Sequence, residues 1–340
     1  MHNPPKVAFI GKKQGFSFME LTATIFEVNG MEVAEIPFFI QNDENITGLD
    51  DKTWSKTSFA DLSPTAQDWV LQERDKLIQA AEELLADNND VFFVPGSWYN
   101  VPVSAADVVP AAEMARSTIE KIAIDKSCVE KKPIIGICNG ALRLLAHDNV
   151  PLSTLPEERR GLGVVPKNKV KSWIDSGRMR GHFASGNDDN VFIDSWGEDS
   201  NVCVHSLNVA ANSVYGKIVA LAKGGEIADG HASEVYSAHK QYCPAHHLPR
   251  HIKSSATSDD GIEEVFEWQN HPLRLGFLYH PETGIDRGVF NKLSRELADY
   301  CASRKAGDIA MEVSFHDYLD AKLGVEREPY LRRAAGSFSR

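Results

Sequence analysis

Apolar residues along this chain alternate between short unbroken runs and longer stretches at helical spacing. Lys6-Val7-Ala8-Phe9-Ile10 is a short run ended by Gly11, and residues 16–28 then place Phe18, Leu21, Thr22, Ile25 and Phe26 near helical spacing. Asn29-Gly30 supplies a helix stop, and residues 31–36, closed by Pro37, read as a second strand. This is a βαβ unit, for which parallel strands are expected. An amphipathic helix follows over 65–86, with Trp69, Leu77, Ala81, Leu84 and Leu85 as its candidate buried face and Ser63-Pro64 as cap and first turn. Val91-Phe92-Phe93-Val94 is the next strand, ending in Pro95-Gly96-Ser97. A helix over 108–126 leads to the run Pro133-Ile134-Ile135.

The second half is less regular. Residues 41–64 are polar and turn-rich, which predicts an inserted loop. Residues 151–200, rich in Gly, Asp, Asn and Ser, predict irregular structure or short antiparallel strands. Strands are expected at 202–205, 234–238, 263–268 and 273–279, and helices at 213–222 and 287–303. The last 35 residues carry mixed charge and one amphipathic piece at 315–323. Internal repeats and low-complexity tracts are absent, so one domain over 5–305, with insertions near 41–64 and 151–200, is expected. Residues 306–340 form a C-terminal extension with no role assigned by sequence.

Composition narrows the function more than the fold. A net charge of −12 argues against nucleic acid as the main partner, because phosphate binding needs a basic surface. No N-terminal stretch resembles a signal peptide, and none approaches the roughly 20 apolar residues of a spanning helix, so no membrane partner is expected. The five cysteines, at 128, 138, 203, 243 and 301, show no framework spacing, and a reducing cytoplasm is the simplest setting.

One of those cysteines sits in a chemically suggestive place. Gly136-Ile137-Cys138-Asn139-Gly140 follows an apolar run and precedes the helix-like Ala141-Leu142-Arg143-Leu144-Leu145-Ala146-His147. The glycines permit a tight turn, and a helix start stabilises a thiolate. The corner has the character of a nucleophile elbow with sulfur in place of oxygen. A thiol nucleophile needs a base, and the base needs an orienting partner. His280 closes the apolar run Gly276-Phe277-Leu278-Tyr279, and Glu282 stands two residues later, across Pro281. His280 would take the proton and Glu282 would fix its tautomer.

These two motifs together resemble the class I glutamine amidotransferase superfamily, whose triad is Cys-His-Glu. Pro95-Gly96-Ser97 sits where that family has a Pro-Gly-Gly loop, and the resemblance implies an oxyanion hole from the amides of Gly96 or Ser97 and of Asn139. Val235-Tyr236-Ser237-Ala238-His239-Lys240-Gln241 and the segment 252–264 are similar to the γ-glutamyl hydrolase branch, which includes γ-glutamyl-γ-aminobutyrate hydrolases. The latter segment implies strand–turn–strand. The implied fold is three-layer α/β: a flavodoxin-like, mostly parallel sheet with helices on both faces and an added antiparallel strand region. Asn139, where that branch has arginine, and Ala141-Leu142 after the elbow depart from the pattern; Cys-Asn-Gly is similar to the glutaminase of formylglycinamidine synthase.

The resemblance implies a hydrolase of a γ-glutamyl or similar small amide acting through a thioester. The alternatives are an ammonia-supplying glutaminase working with a synthase partner, and a non-catalytic binding protein on the same scaffold. His239, Gln241, Trp98 and Tyr99 are the candidate substrate-binding residues. No metal or organic cofactor is implied; the histidine-rich run 239–251 lacks two cleanly spaced ligand pairs. A homo-oligomer is compatible with the sequence, which does not select an oligomeric state.

Overall fold

The computed structural model describes residues 3–11, 17–96, 101, 109–155, 165–166, 199–200, 203–283 and 286–325. The first half follows the predicted order closely. Strand β1 (Lys6–Ile10), helix α1 (Ser17–Val28) and strand β2 (Glu32–Ile36) form the βαβ unit, with β1 and β2 parallel. Residues 41–64 are not a plain loop. They hold two short helices, α2 (Glu44–Thr47) and α3 (Asp51–Trp54), each capped by an aspartate side chain, Asp43 and Asp50. Trp54 anchors them in a small satellite core with Ile40, Leu62 and Val70.

Helix α4 (Pro64–Ala86) starts at the predicted Ser63 cap, whose hydroxyl accepts from the Ala66 amide. Its buried face is turned from the expected one. Ala66, Val70, Ala81 and Leu85 are inside, Trp69 and Leu77 are half-buried, and Leu84 is exposed. Two cores claim the two ends of this helix, and no single stripe read from sequence serves both. Strand β3 (Val91–Val94) and helix α5 (Arg116–Glu130) follow. Helix α5 starts later than residue 108 because Pro110 holds extended backbone and a 3-10 turn, Ala111–Glu113, intervenes.

Strand β4 (Ile134–Ile137) and helix α6 (Asn139–His147) flank the Cys138 corner. Two short antiparallel ladders involve the 151–200 region. Strand β5 (Ser153–Thr154) and strands β6 (Val165–Pro166) and β7 (Asp199–Ser200) come from it, and β6 pairs with β7. Then come β8 (Cys203–Val209), α7 (Val214–Lys223), β9 (His231–Ser237) and β10 (Gln241–Tyr242), the last pairing with β5. Strands β11 (Ile252–Ser258), β12 (Glu263–Trp268) and β13 (Arg274–Phe277), then α8 (Arg287–Ala306) and α9 (Phe315–Lys322), complete the described order.

The main sheet runs β2-β1-β3-β4-β13-β12-β11-β8-β9. Its first five strands are parallel, and the remaining four join antiparallel. Helices α1, α7, α8 and α9 pack among themselves, as do α4, α5 and α6, so the sheet is covered on both faces. This is an α/β flavodoxin-like fold. Because β3 and β4 are sandwiched, they read as unbroken apolar runs. Phe9 stacks on Phe93 at 4.9 Å, and Phe26 meets both Phe93 and Phe290 edge-on, joining strands to α1 and α8. Among the described residues, no helix is long and apolar enough to cross a membrane.

Candidate active site

The topology brings the carboxyl ends of β3, β4 and β13 side by side, where ligands approach open α/β sheets. Cys138 stands between β4 and α6 with φ 52° and ψ −114°, a conformation that non-glycine residues avoid. Its amide donates to Phe277 O at 2.6 Å, tying the corner to the strand that leads to His280. The Ala141 and Leu142 amides donate to Cys138 O, so the helix starts directly beneath it.

Each glycine of the pentapeptide has a separate steric reason. A Cβ on Gly140 would lie 2.0 Å from Val94 O, and one on Gly136 would lie 2.7 Å from the Gly140 backbone. Removing both side chains lets α6 start close against β3 and β4.

His280 and Glu282 are buried beside this corner. Nδ1 of His280 lies 2.8 Å from Glu282 Oε1, and the His280 amide donates to Tyr236 O at 3.0 Å. Thr283 holds the turn through bonds from its amide and hydroxyl to His280 O. Burial alone would depress the imidazole pKa. The Glu282 carboxylate and the Cys138 sulfur, the latter also hydrogen-bonded to the ring, outweigh it and push His280 up to about 10. A Cβ on Gly96 would sit 3.2 Å from Cys138 Cβ and 3.5 Å from His280 Cε1. Gly96 therefore closes over both side chains, and its bare Cα is what lets the loop come so near.

Two supporting groups were not foreseen from sequence. Arg116, fully buried on α5, donates through Nη2 to Pro95 O at 2.9 Å and Gly96 O at 3.0 Å. Glu120 at 2.6 Å and Glu113 at 3.5 Å hold the guanidinium, and Arg143 joins from α6 at 3.1 Å from Glu120. Burial opposes the Arg116 charge, but the two carboxylates prevail and keep it protonated. This network fixes the Pro95–Gly96 carbonyls from behind. The spacing Glu113, Arg116, Glu120 could have signalled helical ion pairs, but nothing in it tells a buried network from a surface one.

The second group is Asp286, at the start of α8. It accepts from Tyr215 and Tyr279 hydroxyls at 2.9 and 2.7 Å, and burial raises it to about 7. It anchors the segment that carries His280.

The other candidates fall differently. Ser97, Trp98 and Tyr99 lie outside the described residues. Gln241 is a structural clip: its side chain accepts from the Val101 amide at 2.8 Å and donates to Val101 O at 3.0 Å, which spends both amide atoms on backbone. His239 is buried and directs its ring nitrogens to Gln241 O and Glu264 Oε1. Asn139 opens α6, with its side-chain oxygen 3.4 Å from Arg143 Nε. A polar cavity of about 420 Å³ lined by Lys131, His147, Asp148, His271 and Arg274 lies at the opposite, amino end of β4 and β13, away from Cys138.

No protein-family model matches the sequence, and no curated protein matches it. Solved structures do match in fold. A Thermoplasma acidophilum protein described as belonging to a GMP synthase is 13% identical with a TM-score of 0.50, covering 91% of this chain and 99% of that one. The Trypanosoma brucei CTPS glutaminase domain with bound acivicin is 14% identical at a TM-score of 0.45, covering 87% and 94%. A Thermotoga maritima glutamine amidotransferase is 11% identical at 0.41, covering 96% and 94%. At these identities the shared property is the fold.

Proposed function

We propose that this chain is a cysteine-dependent hydrolase of a γ-glutamyl amide or a related small amide. The observation that carries the reading is the packing of Gly96 against both Cys138 and His280, with Glu282 bonded to the far side of the imidazole. In this reading the Cys138 thiolate attacks the amide carbonyl carbon. The oxyanion is held by the amides of Gly96 or Ser97 and of Asn139, at the positive end of the α6 dipole. As the C–N bond breaks, the His280 imidazolium gives its proton to the departing amine, leaving a thioester on Cys138. His280, oriented by Glu282, then takes a proton from water, whose oxygen attacks the thioester; the C–S bond breaks and the acid leaves.

The departures at Asn139 and Ala141-Leu142 put the specificity outside the usual glutamine pocket, which favours an acyl donor other than glutamine itself. A glutaminase working with a synthase partner is the second reading. It is motivated by the solved structure of like fold being described as part of a synthase. A panel of γ-glutamyl amides and glutamine, assayed alone, tests the proposal. Turnover of a γ-glutamyl amide, lost in Cys138→Ala along with covalent labelling by a glutamine-like diazo-ketone, is the expected result. Full turnover in Cys138→Ala would sink the mechanism, and glutamine turnover that appears only with an added synthase would favour the second reading.

A further inference from the structure

The proposed chemistry leaves one buried polar cluster unused. His205 on β8, His239 just after β9 and Glu264 on β12 are each at most 2% exposed. One ligand atom from each lies within 4.8 Å of the others. Nε2 of His239 is 3.0 Å from Glu264 Oε1, and Nε2 of His205 is 3.4 Å from the same oxygen. The opposite ring nitrogens face backbone: His239 Nδ1 is 2.9 Å from Gln241 O, and His205 Nδ1 is 3.4 Å from Ser206 O.

A carbonyl oxygen only accepts, so the proton of each neutral ring belongs on Nδ1. Each Nε2 then turns a lone pair toward the carboxylate oxygen. Three such donor atoms converging from buried side chains form the ligand set of a divalent cation. Ligands held at about 2.0–2.1 Å in a tetrahedron lie about 3.3 Å apart, close to the two spacings observed. Donation of the far ring N–H to a backbone carbonyl is also the usual outer support of a metal-bound histidine.

We propose that His205, His239 and Glu264 form a zinc-binding site, with water completing the coordination. Two imidazoles and one carboxylate suit zinc better than calcium or magnesium, which prefer all-oxygen sites. At this depth the ion is structural. It clasps β8, β12 and the stretch that ends β9 and follows it, whose Ala238 O lies 4.0 Å from Cys138 Sγ and whose Tyr236 O receives the His280 amide. The metal thus stiffens the wall beside the nucleophile, and the proposal stands whether or not the amide-hydrolase reading does. The rival reading is a second proton on one imidazole, hydrogen-bonded to Glu264.

Metal content separates the two. The full chain is produced in zinc-supplemented medium, dialysed against a chelator, and its zinc measured by mass spectrometry. Cys138→Ala and His316→Ala are run beside it, because zinc could also lodge at the thiol or at the group His316, Asp317 and Asp320. About one equivalent in the unmodified protein and in both of these variants, lost in the near-isosteric Glu264→Gln and His239→Asn, is the expected result. Removing the metal by unfolding in chelator should also lower the thermal midpoint on refolding by several degrees, restored by zinc. A folded protein without zinc overturns the proposal. So does an equivalent that disappears with Cys138 or His316, or one that survives in folded Glu264→Gln. Should both cluster variants fail to fold, the stoichiometry and the zinc-dependent midpoint of the unmodified protein decide alone.

Discussion

At the residue scale, the site turns on charges buried together. His280 is raised above its ordinary value, so the stabilisation it contributes is complete below a pH of about 6.5 and lost as pH rises through about 10. The imidazolium that the proposed mechanism uses to protonate a departing amine therefore persists across neutral pH. The alkaline limb of the rate profile is expected near 10. Glu282→Gln removes the carboxylate that raises His280, so this limb should move to lower pH while kcat falls by roughly 10²–10⁴. A kcat–pH profile checks both effects; an unmoved limb would contradict the assigned role. Cys138 and His280 stand out in the sequence because each ends an apolar run next to a turn residue, and Glu282 follows His280 across Pro281. The contacts of Gln241 with Val101 and of His239 with Glu264 were not legible, since a polar residue beside a strand end reads the same whichever group it faces.

At the element scale, precision comes from how closely strands and helices approach. Gly140 lets α6 begin against β3, and the atoms a new Cβ would strike are backbone, which cannot rotate away. Gly140→Ala should leave the chain unfolded or lower its stability by about 4 kcal/mol or more, read by urea denaturation. Helix α5 acts on the site through Arg116. Arg116→Lys keeps the charge but not the fork that grips Pro95 O and Gly96 O. The expected result is a fall in kcat of about tenfold to a hundredfold with a smaller change in KM. The alkylation rate of Cys138 should stay the same, because its imidazolium partner is intact. Strands β3 and β4 of the parallel half were readable as unbroken apolar runs. Strand β11, Ile-Lys-Ser-Ser-Ala-Thr-Ser, carries little apolar signal and was expected only by resemblance, because cross-strand pairing with β8 and β12 builds it.

At the scale of the whole molecule, the residues after 305 are part of the packed body as far as they are described. Phe315 and Leu319 of α9 are fully buried, Phe315 lies 5.3 Å from the Tyr300 ring, and its amide donates to Pro272 O. Phe315→Ala should cost about 3–5 kcal/mol in chemical denaturation, while diazo-ketone labelling of Cys138 below the transition stays at the unmodified rate. A neutral result would mean that α9 is held by α7 and α8 without contributing stability of its own.

The sequence by itself determined the alternation of strands and helices, the parallel character of the first half and the chemistry available at Cys138, His280 and Glu282. Those features are local: apolar spacing, glycine and proline placement, and a nucleophile at a corner act over a few neighbouring residues. Only the tertiary structure decided that Gly96 closes over the Cys138 and His280 side chains and that Arg116 grips the loop from behind. It also decided that His205, His239 and Glu264 meet. Each of these joins segments from 20 to almost 190 residues apart in the chain. Strand order alone brings them together, and no local pattern records it.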